Sequence, residues 1–395
     1  MKKLSLLLLC LLLFGCAKDK TLPKETVLPL TENVLQYNKT EFEYGEIIKY
    51  SEIVSNEDIQ LLFDNYLATE SIGNNSVGIQ YIKDDKEYAE VFNYSVNDTT
   101  PPIVHLQNSY SVTTDYKKEL VKNIPCIDNY DKNPKCYIEG EYDTTKVGRY
   151  NLTYIGEDSS GNKTEVPFVL IVNKPSKVVY STNRTKIEDV IKKYKDDNTM
   201  IGIDVSKWQG DINWSKVKDA GIEFAMIRIG TQKSFNTDEI TEDPYFVKNI
   251  EGANAAGVKV GVYIYSYATT DKEVIDQANY IINKIKDYTV EMPIVFDWES
   301  YGSITGKGMS LTDFRNHAYL FIQTVEKSGY QGMIYGSKNY LNRFWQPIKK
   351  DTWVAHYTYN LAKTNYEHEY RMWQLCSDGK VNGINEAVDI DIYYK

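Results

Sequence analysis

The sequence has few histidines and few cysteines for its length. Four histidines and five cysteines are spread over 395 residues, and none of them has the spacing of a zinc site. Because the histidines are scattered, the sequence contains no arrangement typical of a histidine-based metal centre or nucleophile. The sequence therefore predicts neither a metal nor a cofactor, and carboxylates become the candidate catalytic groups.

The chain also lacks an excess of basic residues. It has 55 acidic and 45 basic residues, which gives a net charge of −10. A nucleic-acid-binding domain usually presents a basic surface, so the charge balance argues against nucleic acid as a partner. The hydrophobic content of 42% is that of a globular protein. A length of 395 residues favours two or three domains.

Long hydrophobic runs are absent after the first 16 residues. MKKLSLLLLCLLLFGC has two lysines, an apolar core from Leu4 to Phe14, and then Gly15 and Cys16. This pattern predicts a secretory signal at 1–16, too short for an ordinary membrane-spanning helix. LFGC resembles a bacterial lipoprotein box, which implies lipid modification of Cys16 and an extracytoplasmic protein anchored to the membrane through that lipid. The alternative is a plain secreted protein with an incidental cysteine.

Three of the five cysteines lie after the predicted signal. Cys126 and Cys136 bracket IDNYDKNPK, and an exported chain can form a local disulfide at such a place. Cys376 lies in the apolar run MWQLC, and we expect it to be buried as a small hydrophobic residue.

The middle of the chain has the pattern of β-structure. After a polar tether at 17–35, short alternating runs are broken by Gly, Asn and Asp, with little helical periodicity. An internal repeat of about 75 residues is visible, because 71–98 echoes 146–174 at matching Gly, Tyr, Phe, Val and Asn positions. The pattern predicts two small all-β sandwiches. They cover 36–97 and 98–175.

The second copy resembles the bacterial immunoglobulin-like domains found on many surface proteins. DTTPPIV, DTTKVGRYNLTYIGEDSSGN and a closing alternating strand carry the resemblance across 98–174, and the first copy is more divergent. The resemblance implies spacers that hold another domain away from the membrane. In the loop between the cysteines, a turn held by side chains is favoured over a Ca²⁺ site at Asp128, Asn129 and Asp131.

After a basic linker at 176–198, which includes a predicted short helix, apolar strands alternate with helices. Eight strands are predicted between 200 and 394, with helices between the early ones and none between the last three. This pattern predicts a shortened β/α (TIM-like) barrel at 199–395. We therefore expect a multidomain protein, in which two all-β immunoglobulin-like sandwiches precede the barrel.

Four carboxylates are predicted to meet at one mouth of this barrel. Asp204 ends the first strand, and Asp389 lies in the last, which neighbours the first in a closed barrel. Asp297 and Glu299 end the fourth strand in IVFDWES and share a face, while Trp298 takes the other. Neighbouring carboxyl groups raise the pKa of at least one of them, which suits a general acid. Acids without histidine or cysteine suit glycoside hydrolysis, although each acid is also consistent with a structural ion pair.

The barrel segments resemble the family 25 glycoside hydrolases, the lysozymes or N-acetylmuramidases. GIDVSKWQGDINW, PIVFDWE, MIYGS, WVAHYT and AVDIDIYY occur in the family order, and the resemblance covers 200–394. It implies cleavage of the β-1,4 bond between N-acetylmuramic acid and N-acetylglucosamine in peptidoglycan. Glu299 would be the general acid, Asp297 would orient the substrate N-acetyl group, and Asp204 and Asp389 would position the sugar. A one-water inverting route stays open, because a sequence does not give the carboxyl separation.

The resemblance also implies a set of substrate-binding residues. Faces of Tyr and Trp can stack on sugar rings, although each aromatic is equally consistent with core packing, and Arg228 with a structural ion pair. Ile264 stands where the family has a histidine, so one substrate contact differs. The implied binding residues are Tyr263, Tyr335, Trp353, Tyr357, Gln209, Arg228 and Gln374.

Two other functions remain open. One is a cell-wall-binding lipoprotein that kept the barrel without hydrolysis, and the intact set of four acids argues against it. The other is a hydrolase of another N-acetylated polysaccharide, such as a chitin-like chain. The expected partners are peptidoglycan glycan strands and the membrane, and tethering favours action on the cell's own wall.

Overall fold

The computed structural model describes residues 29–176 and 184–395. The predicted signal at 1–16, with Cys16, and the first part of the predicted tether lie outside the described residues. The described chain forms two compact units, one made of residues up to 42 and 46–96, the other of 43–45 and 97–395. No helix in these ranges combines the length and the apolar character needed to cross a membrane.

The first unit is organised around one long β-hairpin. Its elements are β1 Leu30–Thr31, β2 Glu41–Glu43, α1 Tyr50–Ile53, β3 Gln60–Leu61, β4 Gly73–Lys83 and β5 Lys86–Asn97. β4 and β5 pair antiparallel, with Gly73 opposite Val96. Asp84 and Asp85 both have positive φ, as a two-residue turn with the twist of a hairpin requires. β1 pairs with β5, so the end of the predicted tether forms part of this sheet.

The β-region of the second unit contains a matching hairpin. Its elements are β6 Ile103–Val104, β7 Ser109–Thr113, α2 Leu120–Asn123, β8 Cys126–Ile127, β9 Lys135–Glu139, β10 Gly148–Glu157 and β11 Lys163–Asn173. A four-stranded sheet has the order β7-β11-β10-β9, and β6 pairs with β8. Gly148 lies opposite Val172, the counterpart of Gly73 opposite Val96. The sequence repeat therefore corresponds to a repeated hairpin, while the immunoglobulin-like identity of the two regions stays a prediction.

The loop between β8 and β9 is closed by a disulfide between Cys126 and Cys136. Inside it, the carboxylate of Asp128 accepts hydrogen bonds from the amides of Tyr130 at 2.9 Å and Asp131 at 2.6 Å. This is the side-chain-held turn that the sequence favours.

The rest of the second unit is a closed eight-stranded barrel, which confirms the predicted fold of this region. β13, β14, β16, β17, β18, β19, β20 and β21 are hydrogen-bonded in that order, and β21 also pairs with β13. The helical elements are α3 Ile187–Tyr194, α4 Trp214–Asp219, α5 Phe246–Ala255, α6 Asp271–Ile285, α7 Leu311–Lys327 and α8 Lys338–Phe344. The strands are β12 Thr185–Lys186, β13 Thr199–Val205, β14 Phe224–Ser234, β15 Thr237–Glu242, β16 Lys259–Tyr265, β17 Ile294–Asp297, β18 Gly332–Ser337, β19 Thr352–Ala355, β20 Met372–Lys380 and β21 Val388–Tyr394.

The last barrel strand runs opposite to the others. The first seven barrel strands, β13, β14 and β16 to β20, are joined by parallel pairings. β21 is antiparallel to both β20 and β13. β20 connects to β21 by a short turn without a helix, and so short a connection allows only an antiparallel neighbour. The start of β21 therefore lies at the mouth where the parallel strands end.

Successive side chains along each barrel strand point alternately into the barrel and out toward the helices. Inward-facing residues at the lower levels are mostly methionines and aromatics, while outward-facing isoleucines and valines pack under the helices. Gly202 is required at one inner position, because a Cβ there would lie 2.4 Å from the ring of Phe224. The inner cluster consists of Met200, Phe224, Met226, Met292, Val295, Met333, Trp353 and Met372.

Residues of the second β-region contact the barrel within the same unit. The Asp128 carbonyl accepts a hydrogen bond from the amide of Leu311 at 2.7 Å, and Lys132 pairs with Asp313 at 3.0 Å. The guanidinium of Arg343 donates to the Val104 carbonyl at 2.7 Å. The β8–β9 loop is therefore held against the start of α7.

Removing the disulfide should weaken the β-region. The chain-entropy model gives about 3 kcal/mol for a bridge whose partners are separated by ten residues. The double variant Cys126→Ala with Cys136→Ala should unfold at a lower temperature than the parent in differential scanning calorimetry. Reductant should lower the unfolding temperature of the parent to that of the variant and leave the unfolding temperature of the variant unchanged. Identical unfolding temperatures of parent and variant without reductant would contradict the expectation.

Candidate active site

A polar cavity of about 290 Å³ opens at the mouth of the barrel. All eleven residues predicted as catalytic or substrate-binding line it: Asp204, Asp297, Glu299, Asp389, Tyr263, Tyr335, Trp353, Tyr357, Gln209, Arg228 and Gln374. Three lining residues were missed by the sequence reasoning: Ser206, Trp208 and Tyr265. A larger groove of about 750 Å³ includes Thr352 and Arg371. It lies where parallel strands begin, the end of such barrels that serves stability, so we place the site in the smaller cavity.

The strands bring the acids together from opposite ends of the sequence. Asp204 near the end of β13 lies directly opposite Asp389 near the start of β21. Asp297 ends β17, and Glu299 follows two residues later. Trp298 between them is buried and donates its indole N–H to the Ala268 carbonyl at 3.1 Å. As predicted, it packs outside the barrel axis, which leaves its two acidic neighbours to face the cavity.

Asp297 and Glu299 form a pair of interacting carboxyl groups with unequal exposure. Asp297 is buried at the cavity floor, whereas the side chain of Glu299 is exposed at the mouth. Burial and then the charge of Glu299 raise the pKa of Asp297 well above its ordinary value, against the opposing effect of Arg228. Although solvent reaches Glu299, the surrounding walls desolvate its carboxyl group and raise its pKa too. Two such groups favour holding one proton between them.

A second carboxylate cluster lies on β13 and β21. Burial and then Asp389 raise the pKa of Asp204, and burial followed by Glu299 raises the pKa of Asp389 to about 6. Asp391, which was left out of the predicted set, is 0% exposed and accepts a hydrogen bond from the Trp353 indole at 2.9 Å. Burial and the charge of Asp389 raise its pKa as well. Asp391 therefore lies beneath the cavity and does not line it.

Gln374 links one acid to two tyrosines. Its amide N–H₂ donates to Asp204 at 2.7 Å, and its carbonyl oxygen accepts from Tyr335 at 3.0 Å and Tyr357 at 2.9 Å. Each end of the buried amide thus has defined partners. Gln374 therefore fixes the direction of both phenol groups as well as the orientation of Asp204.

Two predicted binding residues have their polar groups largely engaged. Arg228 donates from Nε and Nη2 to buried Asp243 at 2.9 and 2.7 Å, the structural ion pair that the sequence left open. Gln209 accepts from the Ser206 amide at 2.9 Å and donates to the Ala387 carbonyl at 3.0 Å. Gln209 therefore joins the loop after β13 to the start of β21, and both residues shape the cavity wall.

Aromatic side chains form both the floor and the rim. Trp353 is buried and lies 4.8 Å from Tyr335 and 6.2 Å from Tyr263 between ring centroids. At the rim, Tyr357 is exposed and Trp208 is 69% exposed. Trp208 follows the first strand within DVSKWQG, so its position beside the family motif was a signal that could have identified it. Exposed aromatic faces at a polar cleft can stack on sugar rings.

The sequence profile of glycosyl hydrolases family 25 matches residues 203–384. The uncharacterized protein YegX of Escherichia coli (strain K12) is 30% identical over 210 residues, which cover 49% of this chain and 70% of that protein. The autolytic lysozyme of Clostridium acetobutylicum is 27% identical over 194 residues, 49% of this chain and 55% of that one. A solved family 25 glycosyl hydrolase from Bacillus anthracis matches with 22% identity and a TM-score of 0.45, covering 55% of this chain and 95% of that structure.

The carboxylate cluster should make stability depend on pH. The pKa of Asp389 is raised to about 6 in the fold, against about 3.9 in an unfolded chain. The folded state binds this proton more tightly than the unfolded chain does. The contribution of Asp389 to the free energy of unfolding is therefore fully present below about pH 4 and is lost as the pH rises through 6. Relative to Asp389→Asn, the parent should lose up to about 3 kcal/mol between these limits.

Thermal unfolding of both proteins across this pH range measures the difference. Asp238→Asn, which removes an exposed acid on β15, serves as the control and should follow the parent. If the difference in stability between the parent and Asp389→Asn grew as the pH fell, the raised pKa of Asp389 would be contradicted.

Proposed function

This chain belongs to the glycosyl hydrolases family 25, and we propose that it cleaves the β-1,4 bond between N-acetylmuramic acid and N-acetylglucosamine in peptidoglycan. It is a glycoside hydrolase, and the muramidase reaction is the one that its cavity supports best. The observation that carries the proposal is the carboxyl pair of Asp297 and Glu299 in a cleft with an aromatic rim. Asp297 is buried at the floor of this cleft, and Glu299 is exposed at its mouth.

In this proposal Glu299 acts as the general acid. Its side chain is exposed at the mouth, and its raised pKa favours a carboxyl group that keeps its proton until substrate arrives. In the first step the proton passes to the glycosidic oxygen as the bond from that oxygen to the anomeric carbon breaks. The leaving sugar then departs as an alcohol, and Glu299 is left as a carboxylate.

Asp297 is suited to orient the substrate N-acetyl group. One of its carboxylate oxygens, Oδ1, is buried and accepts no hydrogen bond from any described residue. A substrate amide N–H would satisfy this oxygen and turn the acetyl carbonyl oxygen toward the anomeric carbon. The carbonyl oxygen forms the new bond and a cyclic oxazolinium results. Water then attacks the anomeric carbon as the bond from that carbon to the acetyl oxygen breaks, which regenerates the N-acetyl group. The water gives its proton to Glu299, which restores the acid, and the two displacements together retain the configuration.

Asp204 and Asp389 would stabilise the positive charge that develops on the sugar ring. Both approach the pair from the β13 and β21 side of the cavity, and negative charge placed in advance lowers the energy of a cationic transition state. Gln374 holds Asp204 in this position and presents Tyr335 and Tyr357 to the sugar. We assign stacking on the glycan chiefly to Tyr357 and Trp208, the exposed rings of the rim.

We further propose that the protein acts outside the cytoplasm on the cell's own wall, anchored by a lipid on Cys16. The lipoprotein box in the sequence supports this location, and the name of the clostridial relative, an autolytic lysozyme, is consistent with action on a producer's wall. The two β-regions would then be immunoglobulin-like domains that set the height of the barrel above the membrane, as the repeated hairpin supports.

Glu299→Gln should abolish hydrolysis without unfolding the protein. The amide keeps the size of the side chain but supplies no acidic proton, so release of reducing ends from peptidoglycan should fall by at least about 100-fold. Glu291→Gln is the matched control, because Glu291 is an exposed glutamate just before β17, at the other end of the same strand. Mass spectrometry of the released fragments should show N-acetylmuramic acid at the reducing ends.

Three results would count against the proposal. Equal release of reducing ends by parent and Glu299→Gln would exclude action through Glu299. Tight binding of peptidoglycan without any release by the parent would favour a wall-binding protein. Reducing ends of N-acetylglucosamine, or faster cleavage of chitin oligosaccharides than of peptidoglycan, would indicate a different glycosidase.

Cys16→Ser should release the protein from the membrane. A lipid-modified cysteine gives stable attachment only when its sulfur carries the lipid, so after expression in a bacterial host the variant should move from the membrane to the soluble fraction. Cys10→Ser, which alters the other cysteine of the signal, should stay in the membrane fraction. Membrane retention of the Cys16 variant in cell fractionation would show that this sulfur is not the anchor.

A further inference from the structure

Three aspartates of the second unit lie beside one another, and each directly follows the end of a strand. Asp98 follows β5, Asp128 follows β8 and Asp158 follows β10. Each contributes an oxygen to a group whose atoms all lie within 4.8 Å of one another. The three residues come from distant parts of the sequence, so the fold itself assembles this cluster, well apart in sequence from the catalytic acids.

Buried oxygens without partners distinguish this cluster from a set of exposed acids. Asp128 is 0% exposed, and while its Oδ1 accepts two backbone amides, its Oδ2 has no hydrogen-bond partner among the described residues. Oδ1 of Asp98 is likewise buried and unpartnered. The neighbouring Asn129 is 7% exposed, and its Oδ1 is a third such atom. A buried carboxylate oxygen without a partner is costly, because it loses its water without replacement.

The cluster also has no cationic side chain paired with it in the described part of the chain. Within 29–176 and 184–395, none of the three aspartates forms an ion pair with a lysine or arginine. The hydrogen-bond donors that reach them are neutral: the Ser160 hydroxyl for Asp98, and the amide groups of Asn162 for Asp158. Like charges this close repel one another, so the arrangement favours a bound cation.

We propose that Asp98, Asp128 and Asp158 bind a Ca²⁺ ion. All the available ligand atoms are oxygens, which favours hard cations over zinc, because zinc sites are built mainly from cysteine sulfur and histidine nitrogen. Ca²⁺ accepts six to eight oxygen ligands in flexible geometry, so water and the Asn129 side chain can complete the shell. Mg²⁺ demands a stricter octahedron and gives up its waters reluctantly.

The site is compatible with the turn that the sequence favours in the same loop. That turn uses Oδ1 of Asp128 and leaves Oδ2 for the cation. Asp131, the other acid considered from the sequence, is occupied by the amides of Asn133 and Ser159. The turn and the ion site therefore coexist, and the ligands that complete the site, Asp98 and Asp158, lie far from the loop in sequence.

A cation here would stabilise the contact between the β-region and the barrel. The carbonyl of Asp128 accepts the amide of Leu311, and Lys132 of the same loop pairs with Asp313. Fixing the Asp128 side chain fixes this loop against the start of α7. The inference does not depend on the proposed catalytic chemistry.

Calorimetric titration and thermal unfolding of the full chain test the proposal. After EDTA treatment and dialysis, the parent should bind one Ca²⁺ and melt at a higher temperature when Ca²⁺ is added. Asp98→Asn should weaken Ca²⁺ binding by about tenfold or more, since affinity follows the number of ligand charges. Asp143→Asn is the matched control, because Asp143 holds a turn in the same β-region outside the cluster; it should respond like the parent.

The change in melting temperature that Asp98→Asn causes in the absence of Ca²⁺ distinguishes an ion-binding role of Asp98 from a purely structural one. In EDTA, Asp98→Asn should melt at or above the temperature of the parent, because one of three repelling charges is gone. In saturating Ca²⁺ it should melt below the parent. Asp158→Asn should show the same reversal, which guards against a variant that simply misfolds.

Four outcomes would overturn the proposal. The first is the absence of heat and of any melting shift at Ca²⁺ concentrations up to about 10 mM, above the range of weak extracellular sites. The second is an unchanged Ca²⁺ response in Asp98→Asn and Asp158→Asn. The third is a lower melting temperature of both variants in EDTA, and the fourth is an equal response to Mg²⁺ at the same concentrations.

Discussion

The antiparallel pairing of β21 with β13 is the constraint on which the candidate active site depends. It closes the barrel, and it sets Asp389 opposite Asp204 in register. Had β21 run parallel to its neighbours, its second residue would lie at the far end of the barrel, away from the carboxyl ends of the other strands. The short turn after β20 excludes that direction. Closure and site assembly are therefore one structural event.

The barrel interior then determines the chemistry of the acids. Methionines and aromatics fill the lower levels, so the carboxylates above them have protein on one side and the cleft on the other. Burial raises the pKa values of Asp204, Asp297 and Asp391 together, and their stabilisation depends on donors such as Gln374 and Trp353. Burying these acids lowers the stability of the fold. The same burial raises their pKa values, so that a carboxyl group can still hold a proton near neutral pH.

The second β-region is more than a free spacer in this structure. Its disulfide-closed loop contacts the start of α7 through Asp128 and Lys132. The chain runs from Glu299 directly into the segment that precedes α7. The aspartates at three strand ends lie in the same region. The unit that carries the carboxylate pair therefore extends beyond the barrel, and its rigidity depends on contacts that a barrel alone would not have.

By itself, the sequence determined the local features of this protein. Apolar runs alternating with helices predicted the eight barrel strands, and the family motifs identified the four acids. Spacing alone placed Asp297 and Glu299 on one face with Trp298 on the other. Only the tertiary structure decided which polar groups were already occupied, as for Arg228 and Gln209, and that Trp208 lies at the rim. It also decided the direction of β21 and the meeting of Asp98, Asp128 and Asp158. These features depend on pairings between residues far apart in the chain, whereas periodicity and motifs record only what neighbours in sequence impose on one another.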